Sequence, residues 1–273
     1  MSSIMIPTHY YQHFDADFSL DVPGEGYGGW KKANLPISVD HTAVVVLHAW
    51  DAGTREKYRG WHRAVEFFPR ADRILKTVFP DLLKTIRGSG LKLFHVASDK
   101  SYCSHYPGYL HAAAIAEPEP ARPELAAADP VLEELKEYRR CHVFVGEHNE
   151  ADVERGFRNM KFPREAEPHG DEGIAVTANQ LFALCRESGV NHIVYMGFAV
   201  NWCMLLSPGG MADMSKRGIM CSVIRDAVTA VENRETARSE LNKAASLWRI
   251  ALEFGFVYEA KDFIHALSNS AAS

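Results

Sequence analysis

No apolar stretch in the sequence approaches the ~20 residues that cross a bilayer, so no membrane span and no membrane partner are expected. The opening residues, MSSIMIPTHYYQHFDADFSL, lack a basic region leading into an apolar core and a small-residue cleavage site, which points to a cytoplasmic protein. Blocks of one charge are missing too: 30 Lys and Arg are interspersed among 35 Asp and Glu for a formal net charge of −5. Without a basic stripe, no nucleic-acid partner is expected. Cysteine is scarce, with five in all: Cys103, Cys141, Cys185, Cys203 and Cys221. An odd number with no CxxC pair and no regular spacing excludes a disulfide frame and a spacing-defined zinc site, and leaves reduced thiols. Internal repeats are absent as well.

What is present is the composition of an ordinary globular chain, 47% hydrophobic and 24% charged over 273 residues, enough for one large α/β domain or two small ones. Residues 1–40, rich in Tyr, Gly, Pro and Asp, keep no period and read as an irregular extension. From residue 42 the pattern changes. TAVVVLHAW is a β-branched run suited to a strand buried on both faces, and RADRILKTVFPDLLKTIRGSG spaces Ile74, Val78, Leu82 and Ile86 as one helix ending at glycines. LKLFHVAS is a second strand, CHVFVG a third after a helix at VLEELKEYR, NHIVYMGF a fourth after a helix at TANQLFALCRESG, and GIMCSVIRDA a fifth. ETARSELNKAASLWRIALEFG is a long helix and FVYEA a sixth strand. Alternation of this kind implies a doubly wound, mostly parallel sheet with helices on both faces and ligands beyond the carboxyl ends of its strands.

The chemistry-bearing residues after those ends are few. His48, Trp50 and Asp51 follow the first strand; Asp99 and His105 the second; Glu147 and His148 the third; and Cys203 stands where the fourth strand gives way to a helix. A helix start favours a thiolate below the ~8.5 of a free cysteine, and its unpaired N–H groups can hold an oxyanion. Pro208, Gly209 and Gly210 should end that helix early. A packing role for Cys203 stands beside the nucleophilic one. Cys141, Cys185 and Cys221 lie in apolar periodic stretches and read as packing residues, whereas Cys103 reads as exposed in a loop.

The segment NHIVYMGFAVNWCML, with the downstream MSKRGIMCSVIRDAVTA, resembles the nucleophile region of the isochorismatase-like cysteine hydrolases, the relatives of nicotinamidase and N-carbamoylsarcosine amidase. Their signature reads approximately GxATNxCV. TAVVVLHAWDAG is similar to their first strand, usually TALLVIDMQ. The resemblance runs over about residues 42–260 and is weak at 1–40 and 100–170. It implies a six-stranded parallel sheet in a single domain over 41–267 with a flexible tail at 268–273. It further implies a small-molecule substrate, no cofactor, a homo-oligomer with contacts through the N-terminal arm and LLSPGGM, and a Cys, Asp and Lys triad acting through a covalent intermediate. Cys203 is then the nucleophile, in a turn with a cis bond between Phe198 and Ala199, whose amides with those near Trp202 form the oxyanion hole.

The departures from that pattern are specific. His48 stands where the family has its Asp, and Val200 where Thr is usual. A histidine can still take the thiol proton; it can equally be a strand-end residue bonded to backbone. Asp51 is placed either to orient His48 or to form a turn before Ala52. Lys161 is the first lysine available for the family's third member, and reads also as a solvated loop residue. Asp99, His105 and His111 lack the spacing of a metal site, and none is expected. Trp50, Trp202 and Phe198 offer aromatic walls for a small planar substrate or simply pack. The expectation is a hydrolase cleaving a C–N bond of a small amide or carbamoyl compound through Cys203, with a noncatalytic protein on the same scaffold as the alternative.

Overall fold

The computed structural model describes residues 3–120 and 123–271. Strands β1 (Ser3–Gln12), β2 (Gly29–Ser38), β3 (Thr42–Leu47), β4 (Lys92–Val96), β5 (Gly173–Ala175), β6 (His192–Phe198), β7 (Met220–Thr229) and β8 (Val257–Tyr258) form one sheet in the order β2-β1-β8-β7-β6-β3-β4-β5. Helices α1 (Arg59–Ala64), α2 (Phe68–Thr77), α3 (Phe79–Gly88), α4 (Pro107–Ile115), α5 (Pro130–His142), α6 (Glu150–Arg158), α7 (Ala178–Glu187), α8 (Cys203–Leu206), α9 (Met211–Ser215), α10 (Leu241–Glu253) and α11 (Ala260–Ala271) connect and flank the strands.

The continuous apolar run of β3 is explained by helices on both sides. Val44 and Val46 pack toward α1, α2, α3 and α11, while Ala43, Val45 and Leu47 pack toward α7, α9 and α10. Every residue of the strand is buried. All pairings from β8 through β5 are parallel. The sheet has eight strands instead of six because the stretch expected to be an irregular extension carries a hairpin: β1 and β2 pair antiparallel from Ser3 with Ser38 to Gln12 with Gly29, and β1 joins β8 through Thr8 and His9. Pro7 and Pro36 had masked this hairpin. Pro36 lies on the sheet's edge strand, and the β1–β8 pairing begins only after Pro7, so neither missing N–H is needed there.

Four further expectations are corrected. CHVFVG is not a strand; Cys141 and His142 end α5, and Val143 and Phe144 stand 57% and 52% exposed. The third parallel strand is Gly173–Ala175, fully buried but too short to show a period. The helix expected over residues 70–90 is two helices parting at Val78, since Pro80 cannot donate to the preceding turn and opens α3 instead. The long helix near the C-terminus begins only at Leu241, after Glu240 with φ of 49°. The tail is helical through Ala271, and residues 272 and 273 lie outside the described residues. Among the described residues no helix is long and apolar enough to cross a membrane.

The register between β3 and β6 rests on Gly197. It pairs with Leu47 at a φ of 122°, and a Cβ there would sit 1.9 Å from the Leu47 carbonyl oxygen. Gly197→Ala should therefore cost ~3 kcal/mol or more in chemical denaturation, whereas Gly88→Ala, with nothing within 4 Å of its Cβ, should stay within ~0.5 kcal/mol of the parent.

Candidate functional site

Because Leu47 pairs with Gly197, the next residues along the two strands, His48 and Phe198, emerge side by side at the carboxyl end of the sheet. His48 ends β3 with a φ of 49° and its N–H on the Val96 carbonyl at 3.0 Å. Histidine is among the few non-glycine residues found in that conformation with any frequency. After Phe198 the Phe198–Ala199 peptide bond is cis, as is Phe144–Val145. Val200 N–H then returns to the Thr229 carbonyl at 2.9 Å, and Trp202 and Met204 both donate to the Ala199 carbonyl, at 3.2 and 3.1 Å. The chain thus folds back on itself and starts α8 at Cys203, with no side-chain cap from Trp202. Ser207 ends α8 and Gly210 precedes α9, the early stop that Pro208, Gly209 and Gly210 foretold.

Cys203 is half-buried against the core on the α7 and α10 side. Its thiol makes no hydrogen bond among the described residues and is not bonded to His48. His48 is 6% exposed, its ring stacked on Trp50 at 5.6 Å between centroids and 23° between planes. Burial without a carboxylate partner pushes its pKa down to about 4, so the ring is neutral near pH 7. Nδ1 of His48 is buried and unbonded, as are the indole nitrogens of Trp50 and Trp61. These rings adjoin through Phe157, which meets Trp50 at 5.8 Å and Trp61 at 5.5 Å.

Asp51 and Lys161 are brought together. Asp51 N–H donates to the Lys161 carbonyl at 3.0 Å, and its Oδ2 lies 3.2 Å from Lys161 Nζ. Asp51 Oδ1 accepts from Gly53 N–H at 2.9 Å, the turn role open to it from sequence. With Lys161 69% and Asp51 36% exposed, the ion pair contributes no more than ~1 kcal/mol. No hydrogen bond joins either residue to Cys203 or His48 among the described residues. Glu147 and His148 are exposed on a short turn between α5 and α6, since no strand precedes them. Asp99 caps the turn at Ser101, His105 lies against Tyr106 at 4.4 Å between ring centroids, and His111 pairs with Glu187 at 2.7 Å, so the three do not converge. Cys103, expected to be exposed, is fully buried, and Cys141 is half-buried at the end of α5 with its Sγ 3.4 Å from Glu137 Oε1, outside the packed core. Cys185 and Cys221 are buried, and burial pushes these two thiols and that of Cys103 up to about 12. Trp202 is 51% exposed and meets the ring of Phe144 at 6.1 Å.

Sequence reasoning passed over Asn201, which clamps this turn to the end of β7. Its Oδ1 accepts from Val231 N–H and its Nδ2 donates to the Val231 carbonyl, both at 2.8 Å. Its place two residues before Cys203 was the available signal. Glu232 beside it was also missed; 5% exposed, its carboxylate accepts from the N–H groups of Asn242 and Lys243 at the start of α10.

Acid should unfold this protein through its neutral buried imidazoles. His48 and His192 are both lowered by burial from 6.5 to about 4, so the unfolded chain binds more protons between those values. Stability is complete above pH 6.5 and falls as pH drops toward 4, by ~3 kcal/mol per histidine at the limit. Denaturation series at pH 7 and 4.5 should show this loss, and His48→Asn, which tolerates the same backbone conformation, should remove part of it, with His192 and the fully buried His95, also lowered by burial, carrying the rest.

No family model and no curated protein matches the chain. Several solved structures are similar to it. A cysteine hydrolase from Pseudomonas syringae pv. phaseolicola 1448A is 16% identical, with 86% of this chain and 96% of that chain covered and a TM-score of 0.47. For an isochorismatase family protein from Burkholderia thailandensis the values are 15%, 84%, 96% and 0.47; for an isochorismatase-like hydrolase from Alkaliphilus metalliredigens, 15%, 84%, 99% and 0.44. Identities this low, with TM-scores below 0.5, leave the activity of this chain to its own residues. The solved structures it resembles include isochorismatase-family and cysteine-hydrolase proteins.

Proposed function

We propose that this protein is an isochorismatase-like hydrolase that cleaves the C–N bond of a small amide or carbamoyl compound through Cys203. The observation that carries the reading is the position of Cys203: the first residue of a helix, half-buried, beyond the carboxyl end of a central parallel strand whose register sets its turn beside His48. Ligands of doubly wound sheets bind at that end.

In this mechanism His48 accepts the thiol proton, being neutral and having no other partner at Nδ1. The Cys203 sulfur attacks the carbonyl carbon, and the C–S bond forms as the carbonyl π electrons move to oxygen. The amide N–H groups of Ala199 and Cys203, which have no carbonyl partner in the turn, stabilise that oxyanion. When the oxyanion collapses, the C–N bond breaks and His48 returns the proton to nitrogen. Water then attacks the thioester with His48 as base, releasing a carboxylic acid and restoring the thiol. Asp51 and Lys161, paired with each other, hold the loop that carries Trp50 rather than exchange protons.

A second reading, a noncatalytic binding protein on the same scaffold, is favoured by the absence of a hydrogen bond between Cys203 and His48. Alkylation separates the two. A nucleophilic Cys203 should react with iodoacetamide at pH 7 much faster than Cys141, the other half-buried thiol, whereas the noncatalytic reading expects the two to react alike. In an ammonia-release screen over small amides and carbamoyl compounds, Cys203→Ala should remove turnover by at least ~100-fold, and kcat/KM should hold level down to about pH 5 and fall below about 4, where His48 takes up its proton. Turnover that persists in Cys203→Ala sinks the mechanism.

A further inference from the structure

Strand β7 runs on past its neighbour. Its pairing with β8 ends at Ile224, opposite Tyr258, so residues 225–229 have no strand on that side among the described residues. On the other side β6 meets them through Gly197 with Val228 and Phe198 with Thr229, after a break in register. Thr229 is 1% exposed and Ala230 is fully buried. Buried polar groups at such an end need partners from outside the sheet.

Helix α2 and the residues before it supply them. Arg70 Nε donates to Thr229 Oγ1 at 3.0 Å, and Arg70 Nη2 donates to the Ala230 carbonyl at 3.1 Å and to Glu66 Oε1 at 2.8 Å. Nε also stands 3.3 Å from Glu240 Oε1. Glu66 Oε1 accepts in turn from Glu232 N–H at 2.8 Å. The planar fork of a guanidinium aims its donors in fixed directions, which the flexible ammonium of a lysine does not.

The same stretch carries the turn of Cys203 on its other groups. The Thr229 carbonyl accepts from Val200 N–H at 2.9 Å, and both backbone groups of Val231 bond to the Asn201 amide at 2.8 Å. Asn242 of α10 adds a bond to the Val231 carbonyl at 3.1 Å. Residues 229–232 are thus clasped between two parties, Glu66 and Arg70 on one side and Val200 and Asn201 on the other. A shift of Thr229 and Ala230 is a shift of the turn.

We propose that Arg70 is a positioning residue for Cys203: without touching the thiol, its guanidinium fixes the end of β7 and through it the turn that starts beside His48 and ends at Cys203. The consequence for turnover rests on the Cys203 reading; the hold on the turn rests on the bonds themselves.

Arg70→Lys in the full chain keeps a charge opposite Glu66 and loses the fork. Arg87→Lys is the comparator, since Arg87 is half-buried to a similar degree, forks onto Glu172 and donates to the Glu167 carbonyl, with no bond to residues 229–232. Amide-resolved hydrogen exchange should show Val200 and Val231 exchanging about tenfold faster in Arg70→Lys and at the parent rate in Arg87→Lys. On an amide turned over in the ammonia-release screen, Arg70→Lys should lower kcat by about tenfold to a hundredfold and hold KM within about twofold, because a misplaced thiol costs catalysis more than binding. Arg87→Lys should leave kcat in place. If Arg70→Lys does not fold, Thr229→Val, which removes the hydroxyl acceptor alone, carries the same test with the same signs. Exchange at the two amides that stays at the parent rate, or that rises equally in Arg87→Lys, overturns the proposal, and so does an unchanged kcat. If exchange rises as described while no amide is turned over, the hydrolase reading fails alone; if amides are turned over through Cys203 while Arg70→Lys behaves as the parent, the Arg70 proposal fails alone.

Discussion

The approach of β6 to β3 at their carboxyl ends is the constraint on which the strand-end site depends. Gly197 lies so close to the Leu47 carbonyl that no side chain fits between them. That closeness sets His48 beside Phe198, and the backbone bonds from Val200 to Thr229 and from Met204 to Ala199 then carry the chain to Cys203. Asn201 fixes the same turn from the other side through Val231. Cys203 held this way owes its position to main-chain geometry and one amide clamp, and very little to its own side-chain contacts.

The molecule treats its buried polar groups in two different ways. Away from the carboxyl end of β3 the buried carboxylates and the amide of Gln180 are satisfied: Glu232 takes two helix N–H groups, Gln180 accepts from Val176 N–H at 2.8 Å, and Glu172 meets Arg87 at 2.6 Å and His95 at 2.9 Å, while Ser38 Oγ, Thr42 Oγ1 and His95 Nδ1 stand singly without a partner among the described residues. Around His48 the unpaired atoms come together, and the imidazole and two indole nitrogens stay unbonded in one aromatic cluster. Unpaired buried polar atoms cost ~1–3 kcal/mol each, so a cluster of them marks a place where stability has been given up. The desolvated ring of His48 belongs to the same pattern, since burial holds it neutral.

The parts of the fold legible in the sequence are those where burial on two faces or helical spacing extends over a full element: β3, β4, β6, β7, α7, and the start of α8 at Cys203. What failed did so for local reasons. Val143 and Phe144 have the residue types of a strand but lie at the surface, while the true third strand is three residues long. The hairpin of β1 and β2 was hidden by prolines and by exposed edge residues such as Lys31 and Lys32, which blur the alternation. For the site, the position of Cys203 follows from strand order. The burial of His48, the clamp by Asn201 and the contact between Asp51 and Lys161 depend on segments far apart in sequence, to which residue spacing gives no access.

The pairing of β1 with β8 also bears on how the protein is made. Thr8 and His9 pair with residues 257 and 258, so the chain between them must leave the ribosome before β1 finds β8. Until then the hairpin holds Ile4 and Ile6, buried in the finished fold, without the core they join. The sheet therefore stays open between β1 and β8 until residues 257 and 258 are in place, and a chain truncated before Val257 would keep that seam exposed to chaperones and proteases.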